Sequence, residues 1–343
     1  MELQQAIGQV VSGQSLSEAE MESVMHTIMS GGATDAQIAG LLVALRMKGE
    51  SIDEVTGAAR AMRSLAAAVT LGISPASLVD VVGTGGDDYN TFNISTCSAL
   101  VASAAGVTIA KHGNRSITSA CGAADVLERM GVKLDLSPEQ VAKCVETLSI
   151  GFMFAQKHHG AMRHAIGPRR ELGIRTMMNL LGPMTNPASA ERIVMGVYSP
   201  DVLHLSAEVL SRLGAQHCWV VHSEEGLDEL SVSSATRVVE YKNGATQELV
   251  ITPESVGLDR HPIESLLVNS VDESEAMLRS VLNNESGAAQ DVVALNAGAV
   301  IYVAGLASDL QEGVAMAQDA IGSGLAKEKL ASLVQLTDAL VQV

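Results

Sequence analysis

Aromatic residues are scarce in this chain: three Phe, four Tyr and one Trp make up 2% of 343 residues. So few rings argue against a surface that stacks nucleic-acid bases in succession. They leave the core to Leu, Val, Ile, Ala and fifteen Met, the last an adaptable filler. Positive charge is also short. Lys and Arg number 22 against 39 Asp and Glu, a formal net charge of −17. That argues against nucleic acid or an anionic membrane as partner, because both need a basic footprint. Cysteine pairs are missing too. Cys97, Cys121, Cys144 and Cys218 form no CxxC and sit among small or apolar residues, which reads as reduced, buried thiols in a cytoplasmic protein. The first twenty residues hold no basic region followed by an apolar one, so no signal peptide is expected. Gly, Ser or charge interrupts every apolar run before it reaches membrane-spanning length.

What is present divides the chain in two. Up to about residue 69 the pattern is helical, with Met21, Val24, Met25 and Ile28 on one face, Thr34 a candidate N-cap, and Ser51 with Glu54 a capping box. Strand signals begin at "SLVDVVGTGG" and recur at "GVTIAKHG", "IGFMFA", "RIVMGVY", "HCWVVHS", "TRVVEYK" and "QELVIT". Helical stretches alternate with them, and more are expected at 201–214, 273–284, 288–303, 308–323 and 326–342. The fold class is therefore α/β, with a small N-terminal α-helical domain and a large domain whose central sheet is mainly parallel with flanking helices. The expected boundaries are 1–70 for the helical domain, with 160–186 packing on it, and 71–159 with 187–343 for the α/β domain.

Four stretches carry chemistry. "DVVGTGGDDYNTFNIST" places Gly83, Gly85 and Gly86 between a strand and a helix expected near Thr96. Glycines allow close backbone approach, and a helix N-terminus favours an anion. The spacing matches neither GxGxxG nor the P-loop, and a polar turn with an N-cap would carry the same letters. Asp87 and Asp88 suit a ligand bearing hydroxyls or a metal ion better than a bare phosphate. "KHGNRSITSACGAAD" (111–125) repeats the strand–glycine–helix logic with Lys111 and Arg115, and His112 reads equally as a titrating group or a structural one. "GLDELS" offers Asp228 and Glu229, hard oxygen ligands of the kind Mg²⁺ accepts, although most such pairs are solvated surface. In "KHHGAMRHAIGPRRELGIRTMMNLLGPMTNP", His159, Arg163, His164, Arg169 and Arg170 gather near Pro168; an Arg here clamps a carboxylate or forms an ordinary surface ion pair. Residues 111–175 hold ten Lys or Arg and six Asp or Glu, a local excess of +4 in an acidic chain.

In this order, "GTGGD…TFNIST", "KHGNRSITS…GAAD", "RRELGIRTMMNLLGPMTNP" and "GLDE" resemble the anthranilate phosphoribosyltransferases, over about residues 5–340. The resemblance implies transfer of a phosphoribosyl group from 5-phosphoribosyl 1-pyrophosphate to the amine of anthranilate, in tryptophan biosynthesis. It places the phosphoribosyl pyrophosphate against Gly83, Gly86, Asp87, Thr91, Asn93, Ile94, Ser95 and Thr96. The site continues through Lys111, His112, Gly113, Asn114, Arg115, Ser116, Ile117, Thr118, Ser119 and Ala123. Ser95, Asp228 and Glu229 would hold Mg²⁺, two ions per monomer. Anthranilate would meet Gly83, Asn114, His159, Met162 and Arg169, with Lys111, His112 and Arg169 in the catalytic roles. The family usually forms homodimers through the helical part. Asp88 stands where the family often has Gly, and Cys121 and Ala123 where it often has Ser; Pro168 lies one place later than usual. Related folds suggest rivals: a pyrimidine nucleoside phosphorylase, a non-catalytic nucleic-acid binder and a vestigial dimer module. The first would carry another sequence at "KHGNR", the second a basic surface, and the third would have lost charged positions that are intact here.

Overall fold

The computed structural model describes every residue except 88, 117–120 and 343. Four helices come first: α1 (Leu3–Val11), α2 (Glu18–Met29), α3 (Asp35–Lys48) and α4 (Ile52–Ser64). Ser17, Thr34 and Ser51 cap α2, α3 and α4, each in a reciprocal capping box. The Glu54 carboxylate does more than cap. It is wholly buried and accepts from Leu16 N at 3.0 Å, Ser51 N at 2.7 Å and Lys48 Nζ at 2.9 Å, tying the α1–α2 and α3–α4 linkers to the end of α3.

The remaining elements are β1 (Leu78–Gly83), α5 (Ile94–Ala104), β2 (Thr108–Gly113), α6 (Ala123–Arg129), α7 (Pro138–Leu148), β3 (Ile150–Phe154) and α8 (Ala155–His158). They continue as α9 (Arg163–Leu172), α10 (Met178–Met184), β4 (Arg192–Gly196), α11 (Leu203–Arg212), β5 (His217–Ser223), β6 (Thr236–Lys242) and β7 (Ala245–Ile251). The chain closes with α12 (Val271–Leu282), α13 (Ala288–Ala304), α14 (Leu310–Gly322) and α15 (Leu325–Val341). The sheet runs β3-β2-β1-β4-β5-β6-β7. The first five strands are parallel. The last two form an antiparallel hairpin over Asn243–Gly244, whose positive φ values of 52° and 82° suit a tight two-residue turn. The mainly parallel sheet expected from the alternation of elements is present.

Side chains alternate across the strands into two cores. Val194, Trp219 and Val221 join the core under α5, α13 and α14, while Ile193, Met195, Cys218 and Val220 join the one that includes α2, α3, α4, α10 and α11. The N-terminal helices thus share a continuous core with one sheet face, and α9 packs on α2 and α3. All four cysteines are free and buried. Among the described residues no helix is long and apolar enough to cross a membrane.

The chain lays β2 and β3 on one side of β1, then returns to lay β4 and β5 on the other. That reversal of strand order opens a crevice outside the carboxyl ends of β1 and β4, the place where open α/β sheets bind ligands.

Candidate active site

Gly83 ends β1, Gly196 ends β4, and the two are register partners. Asp228 requires both to be glycine. A Cβ on Gly196 would lie 1.5 Å from the Asp228 carbonyl oxygen, and one on Gly83 would lie 2.4 Å from Asp228 Oδ2. The loop leaving β5 therefore rests in a notch of bare backbone. Asp228 Oδ2 accepts from Gly85 N at 2.7 Å. Asp87, on the glycine loop, reaches the Asp228 carboxyl, and Glu229 takes the Ser95 backbone N–H at the start of α5.

Three carboxyls thus crowd one point. Burial, with the Asp228 charge next, pushes Asp87 up to about 7. Burial also raises Asp228, and it raises Glu229 well above its ordinary range, with the charge of Asp228 adding to it. The ammonium that answers them is Lys111. It is 3% exposed and donates to Val81 O at 2.6 Å and Ser95 Oγ at 3.1 Å. Burial lowers its pKa, against the pull of Asp80 and Glu229. Hard carboxylate oxygens with too little countercharge fit a divalent cation such as Mg²⁺, which accepts one or two carboxylates and completes its shell with water and phosphate oxygens. Among the described residues no three His, Cys, Asp or Glu side chains close a cage on their own. The pair at 228 and 229 therefore suits a metal that arrives with its anion.

A second cluster lies beyond His112. His112 Nδ1 is 3.2 Å from Gly182 O. A carbonyl only accepts, so Nδ1 carries the hydrogen and Nε2 is a bare lone pair. That Nε2 is buried with no partner among the described residues, as are those of His158 and His159. The His112 and His159 rings stand 5.0 Å apart. Burial, followed by the charge of His158, lowers His159 to about 4; burial, then His159 and His158, takes His112 well below its ordinary value. Both rings are neutral at pH 7. His159, Ala161 and Met162 face Met29, Met62 and Leu65 across a narrow apolar recess. Arg169, on α9, is half-buried, and burial alone lowers its pKa. Its guanidinium has no ion-pair or hydrogen-bond partner among the described residues.

Other expected residues are placed less directly. Thr91, Asn93 and Ser95 are partly exposed along the loop and start of α5, and Asn93 Oδ1 accepts from the Thr96 hydroxyl. The helix begins at Ile94, two residues before the expected Thr96. The Ile94 side chain belongs to the core and its N–H donates to Phe92 O at 2.7 Å, so it presents little to a ligand. Gly113 ends β2 and Asn114 is exposed beyond it. Arg115 is committed to Asp125 at 3.0 Å and Glu128 at 2.8 Å. Ser116 N and Gly122 N both donate to Asp125 Oδ2 at 3.0 Å, drawing the ends of this loop together, and Ala123 opens α6. Ile117, Thr118, Ser119 and Asp88 lie outside the described residues.

A model of the glycosyl transferase family a/b domain matches residues 75–327, and one of that family's helical bundle domain matches 4–66. Among curated relatives, the anthranilate phosphoribosyltransferase of Cellvibrio japonicus is 52% identical, covering 99% of this chain and 100% of its own. That of Thioalkalivibrio sulfidiphilus is 54% identical over 98% and 99%. The chain belongs to the anthranilate phosphoribosyltransferase family. A solved family structure from Thermus thermophilus superposes with a TM-score of 0.92 at 45% identity, covering 97% of this chain and 99% of that one. The Saccharomyces cerevisiae anthranilate phosphoribosyltransferase in complex with PRPP and Mg gives a TM-score of 0.90 at 26% identity, covering 98% of each chain.

Several residues around this cleft escaped the sequence reading. Asp80, wholly buried in β1, accepts from His112 N at 3.1 Å and from Asn186 Nδ2 at 2.7 Å; Asn186 also donates to Ala110 O at 2.8 Å. Burial pushes Asp80 up to about 6. A carboxylate inside the apolar run "LVDVV" was the available signal, as was a second strand-ending glycine in "RIVMG". Arg175 donates to Gly86 O and lies over the Tyr198 ring at 5.3 Å, a contact between the α9–α10 linker and the glycine loop that spacing could not disclose.

Proposed function

We infer that this chain transfers the phosphoribosyl group of 5-phosphoribosyl 1-pyrophosphate to the amine of anthranilate, giving N-(5-phosphoribosyl)anthranilate and pyrophosphate in tryptophan biosynthesis. One observation carries the reading. A glycine loop and crowded carboxyls sit at the strand-order reversal, and His112 links them to neutral histidines, methionines and an Arg169 guanidinium with no partner among the described residues. The first region suits a polyanion with its cation; the second suits a small apolar ring bearing a carboxylate.

Gly83, Gly86 and the start of α5 with Asn93, Ser95 and Thr96 would cradle the pyrophosphate through backbone N–H groups and hydroxyls. Thr91, Asp87 and residues 113–119 with Ala123 would border the sugar and phosphates. Asp228 and Glu229, with Ser95, would hold Mg²⁺, two ions per monomer. Bound there, the metal would neutralise charge growing on the departing pyrophosphate. Lys111 is buried beneath the loop, so its charge acts through Ser95 and Glu229 rather than by reaching into solvent. As the C1–oxygen bond breaks, the anthranilate nitrogen forms the new bond and must then lose a proton. His112 Nε2 is an unprotonated acceptor, and a strongly acidic arylammonium needs only a weak base. Arg169 would fork the anthranilate carboxylate, with His159 and Met162 along the ring and Gly83 and Asn114 completing that site. Unpaired buried thiols support a cytoplasmic enzyme. Pairing of two copies through the helical part, where Val11 and Met47 stand exposed, belongs to the same reading.

The test follows anthranilate fluorescence with pure protein, phosphoribosyl pyrophosphate and Mg²⁺. The expected result is a decay that requires all components and stops on adding a chelator. No decay, together with phosphorolysis of thymidine or uridine, would overturn the assignment.

A further inference from the structure

Asp228 and Glu229 occupy a two-residue bridge between Leu227 and Leu230, both wholly buried. Each leucine is held twice. Ser223 N donates to Leu227 O at 3.0 Å, and Leu227 N donates to Ser223 Oγ at 2.9 Å. At the other end Leu230 N donates to Asn296 Oδ1 at 3.0 Å, and Asn296 Nδ2 donates to Leu230 O at 2.8 Å. Asn296 lies on α13, an element that supplies no expected ligand, and is wholly buried. Its second amide hydrogen goes to Val292 O at 2.9 Å, so both donors are used and the amide cannot turn. The Asn296 amide thus pairs with Leu230 as a neighbouring strand would, midway along the loop between β5 and β6. With Gly196 beneath the Asp228 carbonyl, the loop is fixed from below and at both ends.

We propose that Ser223 and Asn296 are positioning residues for the metal-binding carboxylates, acting through the backbone of Leu227 and Leu230. Neither touches Asp228 or Glu229 by a side-chain hydrogen bond. Their effect is to set where the two carboxylates point when the anion and its cation arrive. This inference rests on the metal role of Asp228 and Glu229.

The experiment measures phosphoribosyl pyrophosphate affinity by calorimetry without anthranilate, in metal-free buffer and with saturating Mn²⁺ as probe. The ratio of the two affinities is the metal's contribution. In Asn296→Ala that ratio should fall about 10- to 100-fold, the usual effect of losing a group that orients a metal ligand. The metal-free affinity should hold. Ser223→Ala removes a single oxygen and should lower the ratio in the same direction; it carries the test if Asn296→Ala does not fold. Equal loss with and without metal, or an unchanged ratio in a folded variant, overturns the proposal. Asp228→Asn with Glu229→Gln separates the two readings. If that double change leaves the ratio intact, the metal assignment itself falls. If it abolishes the ratio while the Asn296 and Ser223 variants keep it, only the positioning role falls.

Discussion

Two buried titratable clusters meet in this cleft, and desolvation moves them in opposite directions. At the ends of β1 and β4, burial raises Asp87, Asp228 and Glu229, so their charged forms are costly until a cation joins them. Past His112, burial lowers His112, His158 and His159, so the rings stay neutral and the wall that His159 shares with Met29, Met62 and Met162 remains uncharged. One physical term has made an electrostatic site on one side and a site for a neutral ring on the other. Lys111 and His112 are adjacent in β2, and their side chains serve opposite faces of the strand. The same two residues therefore join the halves and keep them apart.

The strongest way to break the comparison is to neutralise the acid side. Asp228→Asn with Glu229→Gln should cut turnover at saturating Mg²⁺ by about 10²–10³-fold, while thermal unfolding at pH 8 stays as high as wild type or higher. The stability sign follows from the direction of the shifts: a carboxyl whose folded pKa is raised costs stability once the pH exceeds its unfolded value, and the amides remove that cost. A drop in melting temperature matching the lost activity would mean that the pair is structural. On the other side, Arg169→Ala should raise the KM for anthranilate about 10- to 150-fold, the worth of a charge-assisted hydrogen bond, with phosphoribosyl pyrophosphate binding preserved. Equal loss of both substrates would remove Arg169 from the carboxylate.

The smallest effect is a pH dependence. His159 takes its proton at about 4 when folded and near 6.5 when unfolded, so acidification loads the unfolded chain first and the folded state loses stability as pH falls below 6.5. His159→Asn should remove that loss and gain on wild type by roughly 2 kcal/mol between pH 7 and 5, from the shift of His159. Urea unfolding across that range measures it. A pH-independent difference between the two proteins would show that the ring is not held neutral by burial.

Much of this was legible because it is local. Thr34 and Ser51 cap their helices through residues three positions away. Asn243–Gly244 turns the last hairpin by its own φ preferences. Gly83 and Gly86 announced a close approach of backbone. Arg115 was legible as a charge but not as a contact. Its partners Asp125 and Glu128 lie on the next helix, and only folding showed the guanidinium turned toward them. Gly196, Asp80, Arg175 and Asn296 act across separations of tens of residues, with no periodicity to mark them.

The sequence by itself determined the alternation of elements, the glycine loop, the acid pair and the family, because each is written in short-range spacing or in ordered motifs. The tertiary structure decided that Gly83 and Gly196 lie side by side under Asp228, that Lys111 is buried among carboxyls, and that the histidines are neutral. Register between strands and removal of water are properties of the assembled sheet. They set the charge of each group, and no local pattern encodes them.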